Sequence, residues 1–293
     1  MGDCNSTYLT TIPSASNNSR HSIIRYVEYM EIFTKRILVT NDDGLNSLGL
    51  MELAKALKGL GEIWIVVPDR DRSNASHGLT LNTPLRLDRL ELDGEDRVYS
   101  TDGTPSDCVY LLLSHLLGNT KVDLVVSGIN LGLNLADDIS YSGTVGAALE
   151  AVLLDVPAIA VSVQTFNKEA LTNSAAITRE LAAKILSEPD LLPPGVFLNV
   201  NVPEYAKDRK FKMTTVGRRR YSKNVKPIID PKGSTYYWIG GEPLQHDNIP
   251  GSDCNAVFDE QLISITLIDA SMTYNHALTR WNSVKLQEFQ QII

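Results

Sequence analysis

The stretch Arg36-Ile-Leu-Val-Thr-Asn-Asp-Asp-Gly44 decides the fold prediction, because a short apolar run ends abruptly in polar residues and a glycine. Such a run is typical of a strand that is buried on both faces, as in a parallel sheet. Segments of helical periodicity follow, one marked by Leu50, Leu53 and Leu57 and another by Val109, Leu112 and Leu116. This alternation predicts right-handed βαβ crossovers and an α/β fold with an open, doubly wound, mostly parallel sheet. Four later runs resemble the first, at residues 63–67, 124–127, 157–161 and 196–200.

The composition is that of a globular protein and excludes several classes. Of the 293 residues, 43% are apolar and 21% are charged, which excludes disordered, collagenous and coiled-coil chains. The net charge of −8 lacks the basic footprint of a protein that binds duplex nucleic acid. Three scattered cysteines indicate a reducing compartment. The sequence contains neither an apolar run long enough to span a membrane nor the pattern of a secretory leader. We therefore expect a cytoplasmic protein without a duplex nucleic-acid or membrane partner.

Three regions are predicted along the chain. Residues 1–34 begin with a Ser-, Thr- and Asn-rich segment and are expected to be a disordered appendage, with Met30 as an alternative start. Residues 35–205 form the predicted catalytic core. Residues 206–293 are expected to add a β-hairpin around 236–241, a strand at 262–268 and a helix from about Thr273. Such extensions are common in subunit exchange, so this region is the predicted oligomerisation region.

Polar residues follow three of the predicted strands, where an open α/β sheet binds its ligands. Asp42 and Asp43 are adjacent carboxylates before a glycine, and such a patch of hard oxygen atoms suits magnesium or manganese. An isolated Asp-Asp-Gly is more often an ordinary turn. Ser73 and Asn130, in the loops after two neighbouring strands, add neutral oxygen ligands and favour the metal interpretation.

A second candidate feature is the segment 138–145, in which Ser142 or Gly143 is expected to begin a helix. A helix N-terminus presents backbone N–H groups to an anion, and a glycine allows close approach. The alternative is that Ser142 is an ordinary N-cap. Two nearby residues are given structural interpretations: Asp107 as part of a capping box with Thr104, and His77 as a solvated loop residue. The predicted substrate-phosphate residues are Asn134, Ser142, Gly143 and Thr144.

Six ordered blocks of the chain resemble the survival protein SurE family of 5′-nucleotidases. They are Ile37-Leu-Val-Thr-Asn-Asp-Asp-Gly44, Val67-Pro-Asp-Arg-Asp-Arg-Ser73, Leu79-Thr-Leu81, Gly103-Thr-Pro-Ser-Asp-Cys-Val109, Val126-Ser-Gly-Ile-Asn130 and Asp138-Ile-Ser-Tyr-Ser-Gly-Thr-Val145. C-terminal positions that also resemble the family are 217–222, 236–241 and 252–253.

The resemblance implies a Rossmann-like core and a phosphomonoesterase that depends on one divalent cation, Mg²⁺ or Mn²⁺. The implied substrates are nucleoside 5′-monophosphates, sometimes 3′-monophosphates and short polyphosphate. It also implies a C-terminal region that is exchanged in a homodimer or homotetramer. Its metal ligands correspond to Asp42, Asp43, Ser73 and Asn130, and the two aspartates are the implied catalytic residues. Whether Asp42 attacks phosphorus or only holds the metal stays open.

Four positions depart from the family pattern, and three other functions are alternatives to it. Leu48 replaces a proline, and Asn74, Ala136 and Ala151 replace glycines, so loop shape near the site is expected to differ. A dinucleotide-dependent oxidoreductase would need Gly-x-Gly-x-x-Gly after the first strand, which is missing. A haloacid-dehalogenase-type phosphatase would need aspartates two residues apart, but residue 44 is glycine. A non-catalytic nucleotide-binding module that uses the basic residues 218–220 would show no metal-dependent turnover.

Overall fold

The computed structural model describes residues 35–272, with gaps at 93–94, 119, 166, 207–208 and 242. The chain divides into one unit of residues 1–35 and another of residues 36–293, and the second contains the fold described below. The predicted appendage at 1–34 and the predicted helix from Thr273 lie outside the described residues. No helix within the described ranges has the length and apolar character needed to span a membrane.

Nine of the described strands form one sheet, in the order β3-β4-β2-β1-β5-β6-β7-β13-β8. The six central strands, from β4 to β7, are all parallel to one another. The strands β3 and β13 are antiparallel to the strands beside them, β4 and β7. The predicted mostly parallel α/β sheet is therefore confirmed. The strand bounds are β1 (Arg36–Thr40), β2 (Glu62–Pro68), β3 (Leu87–Leu92), β4 (Glu95–Thr101), β5 (Leu124–Leu131), β6 (Ala158–Val163), β7 (Val196–Val202), β8 (Phe211–Thr214), β9 (Arg219–Tyr221), β10 (Asn224–Ile229), β11 (Thr235–Gly240), β12 (Pro243–His246) and β13 (Ile263–Asp269).

Helices cover both faces of this sheet, as the doubly wound prediction requires. They are α1 (Leu48–Leu57), α2 (Pro105–Leu111), α3 (Gly143–Leu153) and α4 (Lys168–Ser187). The core on one face includes buried residues of α1 and α4, and the core on the other includes buried residues of α2 and α3. Because both faces are covered, the central strands read as continuous apolar runs. Each run then ends in polar residues at the edge where the site lies.

The C-terminal region contains the predicted hairpin and the predicted strand. Strands β10 and β11 pair as an antiparallel hairpin, and every residue of both strands is exposed. A shorter pair, β9 with β12, lies beside it in sequence. Strands β8 and β13 belong to the main sheet, so the sheet continues past residue 206. The division at 205/206 stays a prediction.

Candidate functional site

The turn after β1 sets the position of two carboxylates. The Asn41 amide donates to the Gly44 carbonyl at 2.9 Å, and the Gly44 N–H donates to Asn41 Oδ1 at 3.1 Å. Gly44 has a φ of +83°, and a Cβ atom at this position would lie 3.1 Å from the Pro68 carbonyl oxygen. Only glycine adopts this conformation without strain in so small a space. The turn therefore fixes Asp42 and Asp43 at the carboxyl end of β1, beside the end of β2.

Asp42 is buried and Asp43 is partly buried, and both are shifted toward the neutral acid. Asp42 is only 3% exposed, and burial raises its pKa although the Thr144 hydroxyl donates to Oδ1 at 2.7 Å. Burial, together with the charge of Asp42, raises the pKa of Asp43 to about 6. The Ser47 hydroxyl donates to Asp43 at 3.3 Å. Two desolvated carboxylates at adjacent positions are a place where a bound cation would stabilise the charged forms.

Two of the predicted neutral ligands line the same cleft as Asp42. The cleft has a volume of about 850 Å³, and Ser73 and Asn130 both line it. The Ser73 hydroxyl donates to Asp71 at 2.6 Å, so its oxygen lone pairs stay available to a cation. The Asn130 amide donates through Nδ2 to the Gly132 carbonyl at 2.8 Å, which leaves Oδ1 as its ligand atom. Asp43 follows Asp42 in the turn but is not a lining residue.

The donor chemistry of these residues fits a hard divalent cation. Within the described ranges, no three His, Cys, Asp or Glu side chains lie together as a metal-binding group. The candidate set consists instead of two carboxylates, a hydroxyl and an amide carbonyl. All four are oxygen donors, which suit magnesium and manganese, and the small number of protein ligands leaves positions for water and substrate.

The predicted phosphate residues divide into two groups. Asn134 and Ser142 line the cleft, and the Ser142 hydroxyl also accepts the Val145 N–H at 3.1 Å, so its N-cap interpretation is confirmed. Gly143 and Thr144 are buried behind Asp42. A Cβ atom on Gly143 would lie 3.1 Å from the Asp42 Cβ atom, so the close approach that this glycine permits is to Asp42. The start of α3 thus supports the carboxylate as well as facing the cleft.

Comparison with known proteins then shows the family. Residues 37–223 match the family model described as Survival protein SurE. The chain belongs to this family. A 5′-nucleotidase SurE from Myxococcus xanthus (strain DK1622) is 47% identical over 239 residues, which are 82% of this chain and 89% of that protein. A 5′-nucleotidase SurE from Geotalea uraniireducens (strain Rf4) is 46% identical over 252 residues, 84% of this chain and 99% of that protein.

The fold comparison agrees with the sequence comparison. A crystal structure of the SurE protein from Aquifex aeolicus superposes with a TM-score of 0.71 at 36% identity, and the match covers 86% of this chain and 99% of that chain. The recognition made from six sequence blocks is therefore confirmed.

Two departures from the SurE pattern lie in unusual backbone conformations. Asn74 has a φ of +63° and Ala136 has a φ of +51°, both in the left-handed region. Glycine enters this region freely, asparagine is tolerated there, and alanine is strained. In this SurE chain the backbone at both positions has a conformation that glycine adopts readily. Asn74 also lines the cleft and adds a polar side chain there.

The interpretation of His77 as a solvated residue is wrong. Its Nε2 atom lies 2.5 Å from Oε2 of Glu150, a buried residue of α3, and the His77 side chain is only 26% exposed. The capping box of Thr104 and Asp107 is confirmed, and Asp107 also accepts from the Thr80 N–H and hydroxyl. The loop that follows Ser73 is therefore tied to both α3 and α2. No local sequence signal indicates the His77 contact, since its partner lies 73 positions away.

The sequence prediction also missed one wall of the cleft. This wall comes from β9 and the β10–β11 hairpin and includes Tyr221, Val225 and Ile239. The blocks at 217–222 and 236–241 resemble SurE positions, but nothing in their spacing shows that they reach the ends of β1 and β5. The contact depends on the path of the chain after β8.

Proposed function

We propose that this SurE protein hydrolyses the phosphate monoester of nucleoside 5′-monophosphates and releases nucleoside and inorganic phosphate. The observation that carries the proposal is the desolvated Asp42–Asp43 pair, of which Asp42 lines a cleft together with the neutral oxygen donors Ser73 and Asn130. The names of the relatives support it, because both are called 5′-nucleotidase SurE. The chain is accordingly an enzyme, a phosphoric monoester hydrolase.

One divalent cation, Mg²⁺ or Mn²⁺, is the proposed cofactor. Asp42, Asp43, Ser73 and Asn130 would hold it through oxygen atoms. A cation there supplies Lewis-acid polarisation of the phosphoryl group and activation of water. Thr144 keeps Asp42 in one orientation through the hydroxyl hydrogen bond to Oδ1, and Ser47 does the same for Asp43. The hydroxyl and the backbone N–H of Ser73 both donate to the Asp71 carboxylate, which holds Ser73 in place.

The substrate phosphate is proposed to bind between Asn134 and the first turn of α3, which contains Ser142, Gly143 and Thr144. The N-terminus of an α-helix carries a partial positive charge that favours an anion. Asn134 is positioned for this role by a buried polar network. The side-chain Nδ2 of Asn134 donates to the Ser162 hydroxyl at 2.7 Å, and the backbone carbonyl of Asn134 accepts from the side chains of Asn199 and Asn201. The side chain is therefore oriented before the substrate arrives, which limits the entropy lost on binding.

A substrate screen tests this proposal directly. The chelated protein is assayed against nucleoside 5′-monophosphates, nucleoside 3′-monophosphates and short polyphosphate, with and without Mg²⁺ or Mn²⁺, and Asp42→Asn serves as the control. We expect turnover of 5′-monophosphates only with a cation, and little turnover by the variant. The 3′-monophosphates and polyphosphate are the further proposed substrates. Cation-independent turnover, or turnover that Asp42→Asn retains, would remove the metal site from the proposal.

We also propose a homodimer or homotetramer in the cytoplasm. The exposed apolar residues of the hairpin, among them Ile228, Tyr236 and Trp238, support an assembly, because such residues seldom cluster on a monomer surface. Cys108 and Cys254 are buried free thiols, which are common in reducing compartments. Light scattering of the purified protein measures the mass of the assembly.

A further inference from the structure

The cleft is larger than its polar end requires. Its volume of about 850 Å³ is that of a site for a drug-sized molecule, whereas a phosphate group occupies a small part of such a space. The polar end contains Asp42, Ser73 and Asn130. The remaining volume extends along the base of the β10–β11 hairpin, where Val225 and Ile239 line it.

Val225 and Ile239 form one apolar patch on that hairpin. They are direct cross-strand partners in the antiparallel ladder, so their side chains point to the same face. Val225 is 55% exposed and Ile239 is 84% exposed, and both face the cleft. Two large apolar side chains left open beside a charged phosphate site are a suitable surface for the uncharged part of an amphiphilic substrate.

We propose that Val225 and Ile239 bind the nucleoside part of the substrate and determine the preference of the enzyme for nucleotides over small phosphate esters. The proposal rests on the phosphatase function proposed above and identifies the residues that recognise its substrate class. Apolar side chains contact the faces of a base and a ribose without reading the hydrogen-bonding edge of the base. The contact with these two side chains therefore does not by itself distinguish one base from another.

The strand that leads into the hairpin, β9, is tied to the turn at the phosphate end of the cleft. The Asp138 carboxylate accepts from the Arg219 guanidinium and from the Tyr221 hydroxyl, both in the strand that precedes the hairpin. The Asp138 carbonyl accepts from the N–H groups of Tyr141, at 3.0 Å, and Ser142, at 3.2 Å. One residue thus connects the approach to the hairpin with the turn that begins α3.

Aromatic contacts add to this connection. The Arg219 guanidinium lies over the Tyr221 ring, 5.3 Å from its centroid, and over the Phe258 ring, 5.4 Å from its centroid. Arg219 and Asp138 are both largely buried as an ion pair. A wall that is positioned before binding loses less entropy when it contacts a ligand, so even a small apolar patch contributes to affinity.

The hairpin offers a matched pair of variants for the test. Ile239→Ser removes the apolar contact in the cleft. Ile229→Ser makes the same change on the same hairpin face, because Ile229 pairs with Thr235, four positions before Ile239. Ile229 is 70% exposed and does not line the cleft. The measured quantities are kcat and KM for adenosine and cytidine 5′-monophosphates, kcat/KM for methyl phosphate, and the mass of the assembly by light scattering.

We expect Ile239→Ser to raise KM for both nucleotides by about tenfold, the usual effect of losing apolar contact in a binding site. Methyl phosphate cannot reach the wall, so its kcat/KM should stay unchanged. Ile229→Ser should alter neither substrate. Unchanged nucleotide KM in Ile239→Ser and in Val225→Ser would overturn the inference. So would an equal loss for methyl phosphate, or a loss that accompanies a change in the mass of the assembly.

Failure of this inference can be told from failure of the proposed function. If the wild-type protein hydrolyses no phosphate ester with any divalent cation, the function is wrong and the inference fails with it. If the wild-type protein hydrolyses nucleotides and the Ile239→Ser variant has the same KM, only the nucleoside wall is wrong.

Discussion

Burial disfavours the charge on Asp42 and Asp43, yet a cation site needs both carboxylates ionised. Burial raises the pKa of both residues, and Asp42 adds its charge to the shift at Asp43. Hydrogen bonds from Thr144 and Ser47 oppose the shift and keep each carboxylate in one orientation. At a pH above the pKa values of both carboxyls, the charged site therefore lowers the stability of the cation-free fold. Binding of a cation restores this stability.

Removing either carboxylate should abolish phosphatase activity without unfolding the protein. An amide keeps the size of the side chain but not the negative charge that holds the cation, so Asp42→Asn and Asp43→Asn should each reduce turnover by at least about 100-fold. Turnover and thermal melting are measured on the same samples. If both variants keep more than about a tenth of the wild-type activity, the metal assignment is wrong.

The stability of the cation-free protein should depend on pH through Asp43. Its pKa is about 6 in the fold against an ordinary value of 3.8, so the stabilising effect of the neutral acid is complete below pH 4 and is lost as the pH rises through 6. Asp43→Asn lacks this titration. Its melting temperature should exceed that of the wild type by roughly 2–5 °C at pH 8, and the difference should vanish near pH 4.

Added manganese provides the control for this comparison. At pH 8 it should raise the melting temperature of the wild type and have little effect on Asp43→Asn. A variant that melts below the cation-free wild type at pH 8 would show that the Asp43 carboxylate stabilises the fold by itself.

The sequence predicts the residues of the site better than their contacts. Asp42 and Ser73 follow buried strands and Asn130 lies near the end of β5, and because the carboxyl ends of parallel strands meet at one edge, their proximity can be inferred from the strand pattern. The hydrogen bond from Thr144 to Asp42 joins residues that are 102 positions apart. Such a contact depends on how α3 packs against the sheet, and no pattern within either segment indicates it.

At the scale of elements, the first turn of α3 contacts both the cleft and Asp42, and substitutions can distinguish the two roles. Ser142 caps the helix and faces the cleft, while Gly143 lies against Asp42 and Pro105. From the sequence, Gly143 is expected to allow the close approach of an anion. Its nearest neighbour is instead the Asp42 side chain, so a change at this position acts on the proposed metal ligand.

Gly143→Ala should therefore weaken binding of manganese as well as phosphate, because the added Cβ would lie 3.1 to 3.2 Å from Asp42 atoms. We expect a loss of manganese affinity of about tenfold, the effect of displacing a ligand by a fraction of an ångström. Ser142→Ala should leave manganese binding intact and lower stability by about 1 kcal/mol through loss of the cap. Titration of each variant with manganese and with phosphate checks both expectations. Normal manganese affinity in Gly143→Ala would contradict this expectation.

The elements themselves are predicted unevenly. The buried parallel strands are clear because each is a continuous apolar run, but β5 extends to Leu131 where the sequence predicts an end at 127. Its polar residues look like a loop and still pair with β6. The longest of the described helices, α4, carries no strong sequence signal, because small residues such as Ala170, Ser174 and Ala175 form much of its buried face.

At the scale of the whole molecule, the C-terminal region is part of the same folded unit as the sheet that contains the candidate site. The strand β13 pairs with β7, and the chain between them contributes the hairpin whose base lines the cleft. The amino-acid composition changes near residue 206, which suggests a domain boundary there. The pairing of β13 with β7 joins segments that are far apart in the sequence. Neither the completion of the sheet nor the wall of the cleft could therefore be predicted from the sequence.

Residues 1–34 precede the first strand in the sequence, and the effect of deleting most of them can be tested. The fold begins at Arg36 in β1, and the division of the chain falls between residues 35 and 36. Deletion of residues 1–29 keeps β1 and every residue of the site. Because the first part of the segment is rich in Ser, Thr and Asn and has little apolar content, we expect the deleted form to keep its melting temperature within about 2 °C. Nucleotide turnover should also be unchanged, and aggregation or a melting temperature lowered by more than about 5 °C would instead make the segment part of the folded protein.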